Sequence, residues 1–313
     1  MGHPVQVSAP APKNQRPADE GLVGDFKRFP TLWATRVLWL LLPATVGTTI
    51  GQALSEAARP SQLVATIGAW IIWGVGVSAC FIKRPATLTA LRIAAPAVLV
   101  AAIAAAVSST LHPIAVVHAA VLTLVVLLPE VGAAMVDGIS YGDERRLLLR
   151  APLPLLLAPV PLSWIAVVAG VVSGPLLLAA KQWLAGAAAL VVGVFIARHA
   201  ARALYGLSKR WVIFVPNGFV VHDHLSTREP FLLRRSDIRS IGPADATTDL
   251  ADADVVDATQ NATGVVLLAA LRKPVEVVPI GRVVEMRHVH QVAFCPTRPG
   301  ALLQLARQRR VVG

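Results

Sequence analysis

The chain has 313 residues, of which 55% are hydrophobic and only 15% are charged, and its mean hydropathy is +0.62. Soluble domains carry roughly 25% charged residues, so the composition excludes an ordinary soluble protein and indicates a polytopic membrane protein. The net charge of +11 needs no nucleic-acid partner, because membrane proteins concentrate Arg and Lys in their cytoplasmic loops.

The first 30 residues are rich in Pro, Ala and polar residues, and we predict a disordered tail over 1–30. Six apolar segments follow, each close to the ~20 residues that cross a ~30 Å hydrocarbon core. They are residues 37–54, 62–82, 93–111, 114–136, 154–172 and 176–198. The pattern predicts a transmembrane domain of six helices over residues 31–205.

The basic residues between these segments predict the orientation of the helices. If the N-terminus is cytoplasmic, Arg and Lys gather on the cytoplasmic side, and only Arg59 and Lys181 lie outside. This is a strong positive-inside signal. With an even number of spans, it predicts a multi-pass protein of the bacterial inner membrane with both termini in the cytoplasm.

Residues 206–313 have a different pattern, in which short β-type runs alternate with turn residues. Asn217-Gly218, between "WVIFVP" and "FVVHDH", is the strongest short hairpin signal. The last segment, "RPGALLQLARQRR", places Leu302, Leu305 and Ala306 on one helical face. We predict a small cytoplasmic β-barrel capped by a C-terminal helix.

This order of elements resembles the pleckstrin-homology-like (PH-like) domain of bacterial membrane proteins. The stretch "PFLLRRSDIRSIGPA" is similar to the step in such domains where a strand ends in a polar turn, here Ser236-Asp237, and the next strand begins at Ile238. The layout of the whole chain resembles uncharacterised actinobacterial integral membrane proteins. The resemblance implies a binding or scaffolding module, since this barrel is generally not catalytic.

Two polar residues fall within the fourth apolar segment. Glu130 follows Pro129, and His118 lies twelve residues earlier, roughly 18 Å along a helix axis. Ionisable residues inside a span often mark an ion or proton path. Alternatively, Glu130 is hydrated near the cytoplasmic end or paired with an Arg of a loop.

The loop "DGISYGDERRLLLR", residues 137–150, carries acidic residues that could bind a cation and arginines that could bind a phosphate. A solvated loop explains it equally simply. His222/His224 and His288/His290 have the spacing at which two imidazoles share one face of a strand, yet further metal ligands lack suitable spacing. We therefore expect exposed strand positions and no metal site. We also expect a solvated loop for the acidic run between Asp245 and Asp257.

Basic residues recur in the C-terminal domain and could form a face for anionic lipid or a protein partner. They are Arg234, Arg235, Arg239, Arg272, Lys273, Arg282 and Arg287. An ordinary solvated surface is the alternative.

No nucleotide-binding, metalloprotease, hydrolase or redox motif occurs in the sequence. We therefore predict no enzyme, no cofactor and no nucleic-acid partner. The leading hypothesis is a membrane scaffold or regulatory protein whose C-terminal domain binds a protein partner or inner-leaflet lipid. The first alternative is a transporter or channel that uses Glu130 and His118. The second is a lipid-modifying enzyme, with Glu130 and the 137–150 loop as its site.

Overall fold

A computed structural model describes residues 29–108, 113–245, 247–281 and 285–311. The predicted tail, residues 1–30, therefore lies almost wholly outside the described residues, and so does Arg282. The described chain has a helical N-terminal part and a sheet-rich C-terminal part.

The helical part begins with an interrupted helix and continues with longer ones. The helices are α1 (Pro30–Leu40), α2 (Thr48–Ala53), α3 (Arg59–Phe81), α4 (Pro85–Ser108), α5 (Pro113–Leu127), α6 (Pro129–Asp137), α7 (Leu153–Leu157), α8 (Pro159–Ala179) and α9 (Trp183–Leu207). Among the described residues, α3, α4, α8 and α9 are long and apolar enough to cross a membrane. The pair α5 and α6 adds a fifth span if its two halves, bent by 55°, count as one.

Prolines explain why two of the six predicted segments are not straight helices. A π-helical turn, Pro43–Gly47, separates α1 from α2. Pro43 brings no backbone N–H, and its ring excludes the carbonyl four residues earlier. Leu128 is extended (φ −58°, ψ 141°) in front of Pro129, as the residue before a proline prefers. Of the six predicted spans, four are therefore single long helices among the described residues, and these two segments are interrupted or bent.

Helices α8 and α9 form a tight hairpin along a seam of glycines. Gly170 of α8 meets Gly193 of α9, backbone against backbone. A Cβ added at Gly174 would lie 2.7 Å from the Leu190 Cα. In lipid, where hydrophobic association is weak, such close approach gives helices their main contact energy. The predicted GxxxG spacing Gly170–Gly174 thus serves packing inside the chain.

Two four-stranded sheets make up the β part of the described chain. The strands are β1 (Arg145–Leu148), β2 (Trp211–Val215), β3 (Gly218–His222), β4 (Phe231–Arg234), β5 (Ile238–Pro243), β6 (Val255–Asp257), β7 (Leu267–Val277) and β8 (Arg287–Phe294). The first sheet has the order β1-β2-β3-β4 and the second β5-β7-β8-β6. The predicted Asn217-Gly218 hairpin joins β2 to β3.

The segment 137–150, for which a solvated loop is the simple prediction, differs most from expectation. Its residues Arg145–Leu148 pair antiparallel with β2, and Leu148 lies opposite Trp211. The edge of the C-terminal sheet is thus supplied by a connection of the helical part. The sheet domain consequently extends beyond the predicted range 206–313.

The first sheet separates two apolar cores. Val212, Phe214 and Phe219 point into a core shared with the second sheet, whereas Leu148 and Trp211 join the core of the helices. This division follows from strand geometry, since successive side chains point to opposite faces. The final helix α10 (Pro299–Gln308) buries Leu302 and Ala306 in the core between the sheets, so the C-terminal helix is confirmed.

The second sheet differs from the sequence pattern in two places. Val255 and Val256, in the acidic segment predicted to be a loop, are buried in β6 beside β8. The runs on either side of Lys273-Pro274 form the single long strand β7, with an irregularity between Ala270 and Val275. Proline is tolerated in a strand at such a bulge.

Candidate functional site

Five of the seven basic residues named in the sequence analysis lie at one corner of the sheet domain, whereas Arg287 begins β8 and Arg282 lies outside the described residues. Arg234 ends β4, Arg235 begins the turn to β5, and Arg239 lies early in β5. The backbone N–H of Arg272 donates to the Asp237 carbonyl at 2.6 Å, which holds the β7 bulge against this turn. Five side chains, all exposed, form what we call the basic corner: Arg234, Arg235, Arg239, Arg272 and Lys273.

An open cavity of about 330 Å³ lies within the basic corner. Arg234 and Lys273 line it together with Asp237 and Glu276, and Phe231 and Leu271 contribute apolar surface. Glu276 also contacts His288, with 3.3 Å between the carboxylate and the imidazole. The basic residues outnumber these two carboxylates, so the corner is suited to an anionic group or surface.

The register of the first sheet shows which face of the sheet carries Arg234 of the basic corner. Val220 lies between Ile213 and Leu232 in one cross-strand row, and Arg234 lies opposite Gly218 one row further. Residues in such rows share a face. The face of β2 that packs on the helices through Ile213 therefore continues onto β4, where it presents Leu232 and Arg234 to solvent. The exposed edge of the sheet thus faces the same side as the helices.

Glu130 and His118 make separate contacts. The Glu130 carboxylate, in the first turn of α6, is 42% exposed and lies 3.9 Å from the guanidinium of Arg298, just before α10. The two ring nitrogens of His118 lie 2.6 Å from the Thr45 hydroxyl and 3.0 Å from the Leu38 carbonyl. Glu130 therefore connects the helical part to the sheet domain, while His118 is held by the interrupted first helix.

Two of the three acidic residues of the 137–150 segment, Asp137 and Glu144, have structural partners. A carboxylate oxygen of Asp137 accepts hydrogen bonds from the Ser140 hydroxyl at 2.9 Å and the Arg146 backbone N–H at 3.1 Å. Glu144 lies 3.3 Å from the Arg146 guanidinium. These contacts hold the segment at the start of β1. Two of the carboxylates that a lipid-modifying enzyme could use here are thus already hydrogen-bonded or ion-paired within the segment.

The His-x-His pairs do not converge on a metal site. Among the described residues, no group of three or more His, Cys, Asp or Glu side chains is placed to hold a metal ion. His222 stacks on Trp211, with 5.2 Å between ring centroids. His290 donates to Asp254 at 2.8 Å, and this hydrogen bond lowers the pKa of the Asp254 carboxyl. His224 lies exposed in the turn after β3, and desolvation by neighbouring groups lowers the pKa of its imidazole.

Two arginines have roles that sequence reasoning missed, because both were counted as cytoplasmic loop charges. Arg210 is fully buried and its guanidinium donates two hydrogen bonds, of 2.7 and 2.8 Å, to the Asp223 carboxylate. Arg92 lies on α4 with its Nε buried and without a hydrogen-bond partner among the described residues. Neither residue stands in a motif, so only the fold identifies them.

Comparison with known proteins adds no functional assignment to this geometry. No protein-family model, no curated protein and no solved structure matches the chain.

Proposed function

We propose that this chain is a non-enzymatic scaffold or regulatory protein of the bacterial inner membrane. Its cytoplasmic domain, a PH-like fold, holds anionic lipid of the inner leaflet at the basic corner. The observation that carries the proposal is a cluster of five exposed basic side chains, two of which line one open cavity. One of these two, Arg234, lies on the sheet face that continues from the helical part.

The distribution of charge supports this topology. Four long apolar helices and the bent pair α5–α6 account for up to five spans among the described residues. We count the interrupted α1–α2 segment as the sixth, and an even number of spans puts the sheet domain on the side of the N-terminus. The segments that flank the helices on that side are rich in Arg and Lys. Two packed sheets closed by α10 agree with the PH-like resemblance.

Lipid composition should control how closely the basic corner approaches the membrane. The full chain is placed in nanodiscs of phosphatidylcholine with or without phosphatidylglycerol, and Ser236→Cys carries an environment-sensitive fluorophore. Cys80 and Cys295 are buried, so the label goes to the exposed turn. We expect a blue shift that grows with the phosphatidylglycerol content, because each basic residue gains ~1 kcal/mol near an anionic surface.

The paired substitution Arg234→Gln and Lys273→Gln tests which charges are responsible. It should weaken the membrane-contacting state by roughly 2 kcal/mol, or about 25-fold. The matched control is Arg307→Gln on the exposed side of α10. Equal emission in neutral and anionic nanodiscs, or equal loss in the control, would contradict lipid binding and favour a protein partner at the basic corner.

A second candidate, ion or proton transport, is favoured by one observation. The helix that contacts His118 is interrupted by a π-helical turn, and its Thr45 lies in that turn. Interrupted helices at membrane depth often form ion sites. Proteoliposomes with a pH-sensitive dye test this candidate. A transporter shows proton flux that His118→Gln or Glu130→Gln removes, whereas a scaffold shows none in the wild-type protein.

A further inference from the structure

The junction between the helical part and the first sheet contains hydrogen-bond donors that no described residue accepts. Arg92 Nε, Arg146 Nε and Trp211 Nε1 are all buried there without a hydrogen-bond partner among the described residues. Buried polar groups are almost always paired in folded proteins, and an exception calls for a water, an ion or a ligand. Two of these donors belong to guanidinium groups, which remain charged.

Contacts on both sides of the junction place the residues that carry these donors around Leu148. The Thr89 hydroxyl on α4 lies 3.0 Å from that of Ser208, just before β2. Arg92 follows Thr89 by three residues, so it shares that helix face. A Cβ added at Gly132 of α6 would lie 2.9 Å from Arg92 Nη2 and 3.1 Å from Leu148 Cδ2. Arg92 therefore lies beside Leu148.

Strand register completes the arrangement. Leu148 pairs with Trp211 across β1 and β2, and the Arg146 guanidinium carbon lies 5.5 Å from the centroid of a Trp211 ring. We call Arg92, Arg146 and Trp211 the junction donors. Glu144 contacts Arg146 at 3.3 Å, but among the described residues no carboxylate forms an ion pair with Arg92. The junction thus combines positive charge with three donor atoms that find no acceptor among the described residues.

We propose that the junction donors bind the phosphate group of an anionic ligand, either a phospholipid headgroup or free phosphate. A phosphate offers several acceptor oxygens and the negative charge that would pair with Arg92. Guanidinium groups bind phosphate oxygens with two parallel hydrogen bonds. Gly132 leaves Arg92 Nη2 the space that a side chain would occupy. Arg92 lies seven residues into α4, about 10 Å from the start of that helix, which is a depth that lipid headgroups reach.

The site is independent of the basic corner, because the two share no residue. A ligand bound between α4, β1 and β2 would stabilise the packing of the first sheet against the helices, which membrane contact at the basic corner does not do. Ligand bound to the native state alone raises thermal stability by mass action. An unpaired buried cation, in contrast, destabilises the protein when no ligand is present.

Native mass spectrometry of the delipidated full chain in detergent tests the proposal. The probes are phosphatidic acid, diacylglycerol as the matched lipid without phosphate, and inorganic phosphate. The variants are Arg92→Gln, Trp211→Phe, which keeps an aromatic ring but loses the N–H, and Arg202→Gln as an exposed control on α9. We expect Arg92→Gln to weaken binding about tenfold and Trp211→Phe about threefold, and Arg202→Gln to bind as the wild type does.

Thermal unfolding provides a second readout. Without added ligand, Arg92→Gln should melt at or above the temperature of the wild-type protein, and only the wild type should gain stability from the bound probe. Stabilisation by phosphatidic acid alone identifies a lipid headgroup as the source of the phosphate, and stabilisation by inorganic phosphate as well identifies a site for the free anion. The proposal is overturned if neither phosphatidic acid nor inorganic phosphate binds, or if diacylglycerol binds as tightly as phosphatidic acid. It is also overturned if Trp211→Phe and Arg92→Gln both bind as tightly as the control Arg202→Gln. Arg234→Gln with Lys273→Gln should leave this binding unchanged, which separates it from the basic corner.

Discussion

A single residue, Arg210, links three separate segments of the sheet domain. Besides Asp223, its guanidinium donates to the carbonyls of Arg150 at 2.6 Å and Ala258 at 3.1 Å. Its own carbonyl accepts from the Leu149 N–H at 2.9 Å. The charge is thus paired and hydrogen-bonded on every side, which is what makes burial of an ion pair tolerable.

Removing one member of this pair should destabilise the sheet domain strongly. In Arg210→Met the Asp223 carboxylate is left buried without its partner, and such losses cost about 3–5 kcal/mol. We expect a large decrease in the melting temperature of the full chain in detergent and faster proteolysis within residues 206–311. Arg202→Met, on an exposed position, is the control. An unchanged melting temperature in Arg210→Met would show that the pair contributes little to the fold.

At the scale of elements, the α8–α9 hairpin depends on residues without side chains. An added methyl group at Gly170 or Gly193 meets the backbone of the facing helix, so the helices must separate to accommodate it. The long apolar face of α9 opposite this contact, including Leu184, Val191 and Phe195, is exposed, as expected of a surface that faces lipid. The glycine seam is therefore the principal contact of this hairpin.

Gly193→Ala should consequently destabilise the protein by about 1–3 kcal/mol, as overpacking generally does. Thermal unfolding in detergent measures the change. Gly68→Ala on α3 is the matched control, because nothing lies within 4 Å of a Cβ there and alanine favours a helix over glycine. If Gly193→Ala and Gly68→Ala melted alike, the close approach would not contribute to stability.

At the scale of the whole molecule, helices and sheets form one unit, since β1 arises between α6 and α7 yet belongs to the first sheet. Arg298–Glu130, Thr89–Ser208 and the packing of Trp211 among helix residues add further connections. The sheet domain is therefore held against the helices along a face. A flexible tether would make no such contacts.

Residues 206–313 alone should fold poorly. Without β1, the edge of β2 lacks its partner and the Trp211 face is exposed to water, which favours aggregation. Circular dichroism and amide NMR of this fragment should show no cooperative unfolding and little dispersion. Joining residues 140–150 to Lys209 through a short Gly-Ser loop restores β1, because Leu148 already lies opposite Trp211. We expect improved dispersion in that fusion, and a well-dispersed spectrum of the bare fragment would refute the dependence on β1.

The sequence by itself determined the features that depend on neighbours along the chain. Apolar segments of spanning length, the Asn217-Gly218 hairpin and the amphipathic pattern around Leu302 all follow from local hydrophobicity and turn chemistry. The five basic residues of the corner were also identifiable, although their meeting at one corner, with Arg234 and Lys273 lining one cavity, depends on how β4, β5 and β7 meet.

Only the tertiary structure decided which distant segments meet. No local feature of Arg145–Leu148 indicates that these residues pair with β2, which lies more than 60 residues later in the chain. Strand pairing depends on long-range contacts, and the local hydrophobic pattern does not reveal them. Arg92 and Arg210 resemble ordinary loop charges in the sequence, and only burial at a junction and beside Asp223 gives them their roles. The physical reason is that desolvation and pairing arise when segments pack against each other.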